Sequence, residues 1–152
     1  MGCCGKESNT GHCVCDVLKE IADAQSDIVE NCCDSSCERS IRDLLGETEN
    51  DTGLDTVPVL LYCKDGCKPF KGFGAHPNDI GDIKGSFYFR VKEVRKDCCA
   101  VLELLRDRGD TNKNPKNPVE QHTKRLRATG ICITVDLHCF CHVTCLPAIS
   151  AF

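Results

Sequence analysis

Residues Gly130 to Leu146 read Gly-Ile-Cys-Ile-Thr-Val-Asp-Leu-His-Cys-Phe-Cys-His-Val-Thr-Cys-Leu, and this alternation constrains the fold more than any other stretch. Its odd positions are Ile131, Ile133, Val135, Leu137, Cys139, Cys141, Val143 and Cys145. Its even positions are Cys132, Thr134, Asp136, His138, Phe140, His142 and Thr144. A strand sends successive side chains to opposite faces, so one face is apolar or thiol and the other mostly polar. The stretch ends in a knot of three cysteines and two histidines. Those residues carry either chemistry or cross-linking.

Cysteine is the compositional anomaly, with 15 in 152 residues. That density normally marks a disulfide scaffold in a small secreted protein. Yet Met1 to Lys19 has no apolar h-region, so no secretory signal peptide is expected. No window approaches the roughly 18 apolar residues that span a bilayer, so no membrane segment is expected either. Met-Gly-Cys-Cys resembles an acylated N-terminus, but Lys6 stands where the myristoylation pattern needs Ser or Thr. A formal charge of -4 argues against nucleic acid as a partner, since phosphate neutralisation needs a basic face. Many thiols without an export route leave three readings. They bind metal, or they are buried as small hydrophobes, or the chain is made in a reducing compartment and later meets an oxidising one. The odd count leaves at least one cysteine without an intrachain disulfide partner.

Residues 1–11 read as a flexible tail bearing Cys3 and Cys4. Residues 12–46 form a helical segment. From Cys13 to Glu30, Val14, Val17, Leu18, Ile21, Ala24 and Ile28 recur at helical spacing, the pattern of an amphipathic helix. A turn-forming stretch follows, in which Cys32 or Cys33 lies within bridging reach of Cys37. Ser40 to Leu45 reads as a short second helix closed by Gly46.

The strands come next, within 57–146. Val57 to Cys63 is a nearly continuous apolar run, the pattern of a strand buried on both faces, with Pro58 at its start or on an edge. Lys64-Asp65-Gly66 reads as a three-residue hairpin loop with Gly66 in the left-handed position. Cys63 and Cys67 then face each other across the turn, and fit a bridge or two free thiols equally well. Lys68 to Gly74 is the returning strand. Ser86 to Arg95 carries Phe87, Phe89 and Val91 on one face and Val94 out of phase, which places a bulge near Lys92. Cys98 to Leu104 alternates again. Arg106 to Glu120 is a long loop holding Arg108-Gly109-Asp110, a tripeptide too short to carry meaning beyond loop sequence. Gln121 to Thr129 is a weak strand before the closing stretch. The fold class is α+β, mainly β: an antiparallel β-sandwich with an N-terminal amphipathic helix, 12–152 forming a single domain.

Cys139, Cys141, His142 and Cys145 offer zinc-type donors within seven residues. Structural zinc takes two pairs on separate knuckles, whereas these lie on a continuing strand with His142 on the other face. A site would require breaking the strand at Phe140. Catalysis has less support. His138 and Cys139 are sequence neighbours that point apart, no C-x-x-C motif exists, and no Gly-rich phosphate loop or nucleophile elbow is present. No catalytic residue and no cofactor is expected. Cys139, Cys141 and Cys145 read as buried or bridged within the subunit. Cys3, Cys4, Cys13 and Cys15, on a tail and a first helical turn, read as the links between subunits.

The segment Cys132-Ile-Thr-Val-Asp-Leu-His-Cys-Phe-Cys-His-Val-Thr-Cys-Leu146 resembles the C-terminal signature of the CotY/CotZ family of cysteine-rich spore coat and exosporium proteins of endospore-forming bacteria. Phe89-Arg-Val-Lys-Glu-Val94 with Cys99-Ala-Val-Leu-Glu-Leu-Leu105 resembles its central strand pair. Cys13-Val-Cys-Asp-Val-Leu-Lys-Glu-Ile21, followed by Cys33 and Cys37, resembles its N-terminal helix and cysteine cluster. The Cys63/Cys67 pair and the loop from Lys113 to Lys124 depart from the pattern. The resemblance implies a self-assembling structural protein, synthesised in the mother-cell cytoplasm and deposited on the spore surface, in outer coat, crust or exosporium. Its partners would be copies of itself, as a hexamer tiling into a disulfide-linked sheet, and other coat or exosporium proteins.

Overall fold

The computed structural model describes residues 14–26, 36–46 and 53–152. The chain divides into two units, Met1–Cys33 and Asp34–Phe152. In the first, helix α1 spans Val14–Ser26, with Val14, Val17, Leu18 and Ile21 at the expected spacing; Ile28 lies outside the described residues. The second unit opens with α2, Ser36–Leu45, which starts four residues before the expected Ser40. Gly46 follows at φ 72°, the left-handed position that ends a helix at little cost to glycine.

Among the described residues seven strands follow: β1 (Val59–Cys63), β2 (Gly72–Gly74), β3 (Lys84–Ser86), β4 (Phe89–Val94), β5 (Cys99–Asp107), β6 (Leu126–Asp136) and β7 (Phe140–Cys145). All pairings are antiparallel, in a five-stranded sheet of order β6-β5-β4-β1-β7 and a separate β2-β3 pair. The mainly β, α+β class expected from the sequence is the class observed.

The connectivity fixes the shape. β6 and β7 occupy opposite edges of the sheet, yet only the 3-10 turn Leu137–Cys139 joins them. Four strand spacings of about 4.8 Å put the edges of a flat sheet about 19 Å apart. Three residues in 3-10 form rise only about 6 Å. The sheet therefore folds on itself. The fold line falls between β1 and β4, which share the single register pair Val59↔Phe89. Side chains from both halves then meet in one core: Val59 and Leu61 from β1, Phe89 from β4, Leu102 and Leu104 from β5, Ile131 from β6 and Cys145 from β7. The other face of β1 enters a second cluster, where Leu60 packs with Phe87, Tyr88, Leu105, Leu126 and Ala151. Both faces of the apolar run are used, as its composition implies.

Other elements match or depart for local reasons. The bulge falls at Lys92, where the β4–β5 register slips between Val91 and Glu93. The expected 86–95 strand is split, because Ser86 Oγ bonds the Tyr88 N–H and turns the chain between β3 and β4. The return from the first hairpin pairs only as Tyr62↔Pro69 before β2 leaves to join β3. The expected 121–129 strand starts at Leu126. Gln121 is instead a buried loop anchor, accepting from the Phe87 N–H and donating to Ser86 Oγ and the Leu105 carbonyl. In the Arg-Gly-Asp tripeptide, the Asp110 carboxylate accepts from the Asn112 and His122 N–H groups and so braces its own loop.

The closing stretch is where the sequence reading needs correction. Its alternation holds through Leu137, with Ile131 buried and Ile133, Val135 and Leu137 packed against the first cluster. There the Asp136 carboxylate accepts from the His138 N–H, capping the 3-10 turn, and the strand pattern breaks. β7 resumes with Phe140 inward, edge-on to Phe70 at 5.2 Å. Its pairing then passes from Cys63↔Phe140 to Tyr62↔His142, which leaves Cys141 as the extra residue of a bulge. Cys139 and Cys141 are consequently exposed and unbonded, not core residues.

Candidate functional site: a thiol-bearing pole

The crossover turn sits between two hairpins, and its hydrogen bonds tie all three together. The Lys64 N–H, at the end of β1, donates to the Cys139 carbonyl (2.8 Å), and the Leu137 N–H donates to the Cys98 carbonyl (2.9 Å). Cys99, the first residue of β5, is the register partner of Asp136. The thiol of Cys141 points at the Tyr62 and Cys63 carbonyls (3.7 and 3.6 Å). Cys63, Cys67, Cys98, Cys99, Cys139 and Cys141 therefore share one end of the folded body. Cys132 is the seventh free thiol among the described residues, placed further along β6 opposite Glu103, with Lys92 Nζ 3.8 Å from its sulfur.

Each thiol is presented by an identifiable backbone feature. The first hairpin has a four-residue turn from Lys64 to Cys67, because the Cys63 N–H donates to the Lys68 carbonyl. Gly66 (φ 79°) and Cys67 (φ 51°) are both left-handed. Cys67 thus stands in the turn, exposed, not opposite Cys63, and both remain free. In the second hairpin, Cys98 adopts φ 64° after Asp97, whose carboxylate accepts from the Cys99 N–H. Burial pushes the Cys99 thiol above its ordinary range, as do the nearby Asp97 and Asp136 carboxylates, against a smaller opposing effect of Arg95. The Asp136 carboxyl is held below its usual range by the backbone N–H and ring of His138. Cys98, Cys99 and Cys132 were not singled out from sequence. Lys96-Asp97 before the vicinal pair is the turn signal that could have marked the first two.

The bonded cysteines differ from the expected pairs. Cys37 on α2 is joined to Cys145 at the end of β7, across 108 residues of sequence, in place of a bridge from Cys32 or Cys33. The bond has a neighbour in the Ser40 hydroxyl, which donates to the Leu146 carbonyl (2.7 Å). Cys15 is also disulfide-bonded, which takes it out of the set of free thiols. Cys3, Cys4, Cys13 and Cys33 lie outside the described residues.

The four donors of the zinc alternative are not brought together. Cys145 is spent in its disulfide. His142 packs edge-on against Tyr62 at 4.6 Å and bonds Thr144 Oγ1. Cys139 and Cys141 are exposed on either side of Phe140. Among the described residues, no three His, Cys, Asp or Glu side chains converge on a metal-sized point. No helix among them is long and apolar enough to cross a membrane. The exposed thiols of the pole can form disulfides.

Known proteins resemble the chain along nearly its whole length. A family model described as spore coat protein Z matches residues 1–148. Spore coat protein Z of Bacillus subtilis (strain 168) is 30% identical over 145 residues, covering 90% of this chain and 90% of that protein. No solved structure matches. With the family model matched along almost the whole chain and a relative of 30% identity covered to nine tenths, the chain belongs to the spore coat protein Z family.

Proposed function

We propose that the chain is a structural protein of the spore coat that assembles with copies of itself into a two-dimensional, hexagonally ordered layer locked by disulfides. Family membership supports the coat role. The observation that carries the finer reading is the set of seven free thiols on the folded body. A chain that only needed internal staples would have few reasons to keep four of them exposed. On this reading the protein is made in the mother cell, where thiols stay reduced, and is linked at the spore surface once the mother cell lyses. Its other partners are further coat or exosporium proteins, and it performs no catalysis. A ring that closes at six and tiles is the simplest symmetric arrangement that covers a surface.

Electron microscopy of the full chain, purified alone under reductant and then air-oxidised, tests this directly. Ordered sheets whose proteins enter a denaturing gel only after reduction are the expected result. A soluble monomer under both conditions, or one carrying stoichiometric zinc by elemental analysis, would sink the layer reading.

A further inference from the structure

Given the disulfide-linked layer just proposed, on which this step rests, we infer that the thiol-bearing pole, and not the N-terminal tail, is the covalent contact, and that its partner is the same pole of a second copy of this chain. Three exposed free thiols converge there: Cys67 in the β1 hairpin turn, Cys139 in the crossover and Cys141 on the β7 bulge. Cys63, Cys98 and Cys99 stand half-buried behind them. The crossover is fastened by backbone hydrogen bonds to both hairpins, so the thiols sit on a fixed surface. Fixed presentation lowers the entropy lost when two copies meet.

Two features favour a second copy as the occupant. Charges of both signs are interleaved at the pole, Lys64, Lys68 and Lys96 with Asp65, Asp97 and Asp136. A surface patterned in this way can complement itself across a two-fold axis, as an isologous contact requires, whereas a single-signed patch would repel its own copy. A two-fold axis also sets each thiol against its own equivalent or that of a neighbour, so the partner brings matching thiols at equal number. The bond-forming step is a two-electron oxidation by dioxygen. One thiol from each copy loses its proton and one electron, the S–S bond forms, and dioxygen takes up both protons and both electrons as hydrogen peroxide.

The test uses the full chain. Unlabelled and 15N-labelled protein are mixed under reductant and air-oxidised, and disulfide-linked peptides are mapped by mass spectrometry. Mixed-isotope links joining peptides that carry Cys67, Cys139 or Cys141 on both sides are expected. The triple variant C67S/C139S/C141S should lose at least ten-fold of the covalent dimer on a non-reducing gel, while C3S/C4S keeps it. Mapping of the unmutated chain decides the matter should the triple variant fold poorly. Mixed links confined to Cys3, Cys4, Cys13 or Cys132, with the pole thiols still open to alkylation, would overturn the pole and leave a disulfide-linked layer standing. Absence of any mixed link, with all pole thiols alkylatable, would overturn both.

Discussion

Gly72 and Gly74 show how close two layers of this fold approach. A Cβ on Gly72 would stand 2.6 Å from Ile133 Cδ1 and 2.9 Å from the Phe89 ring, and one on Gly74 would stand 2.6 Å from Ile131 Cγ2. β2 thus lies with bare backbone on the apolar face of β6, and neither glycine is needed for a left-handed turn. Replacing Gly72 by Ala should lower stability by about 1–3 kcal/mol, the usual effect of forcing atoms into a packed core. Gly81→Ala, with nothing within 4 Å, should stay within about 0.5 kcal/mol of the parent. Urea midpoints of the two variants check this; equal midpoints would mean that β2 shifts freely off Ile133. The sequence places these glycines in a returning strand, Lys68 to Gly74, without a reason for either. What makes them necessary is the face of β6, distant in sequence, which spacing cannot reveal. The same limit applies to Cys139 and Cys141, whose odd-numbered positions predict burial until the turn capped by Asp136 resets the phase.

At the scale of elements, α2 is tied covalently to the edge of the sheet. Cys37 holds it to the end of β7, and the Ser40 hydroxyl adds one hydrogen bond to Leu146. A disulfide closing a loop of this length restricts the unfolded chain strongly, so Cys37→Ser should cost about 2–5 kcal/mol, and reductant, which opens the Cys15 bond as well, should cost the parent at least as much. Hydrogen exchange should then show the amides of Ser36–Leu45 losing protection first and most, while β5 and β6 lose no more than that global amount. Equal loss across all strands would mean the bridge stabilises the whole body, not the helix alone. The strands themselves were largely legible: β1 from its unbroken apolar run, β5 from alternation, and the Lys92 bulge from Val94 falling out of phase. The Cys37–Cys145 pairing was not, because it joins segments 108 residues apart and follows from how the sheet folds on itself. The crossover escaped for a related reason. One unbroken alternating pattern covers two strands that pair with different partners on opposite edges.

For the whole molecule, the question is whether order or cross-linking comes first. A pole-to-pole contact is two-fold and joins only two copies, so it cannot by itself generate a layer. Six-fold rings joined to one another across such two-folds do tile a plane, and the rings must then be built from non-covalent surfaces elsewhere on the body. Disulfides forming on an already ordered array would connect neighbours without setting its geometry. Each link contributes only a modest free energy, but dissolving the array would require many to break together, which makes its resistance a matter of rate. Sheets grown under reductant should therefore show the same lattice spacing as oxidised ones, while the urea concentration that dissolves them rises only after oxidation. Diffraction from both preparations, followed by a urea series with and without reductant, measures the two effects separately. If no lattice forms until oxidation, the covalent contacts set the geometry and the ring surfaces postulated here do not exist. If both sheets dissolve at the same urea concentration, the thiols are not what secures the layer.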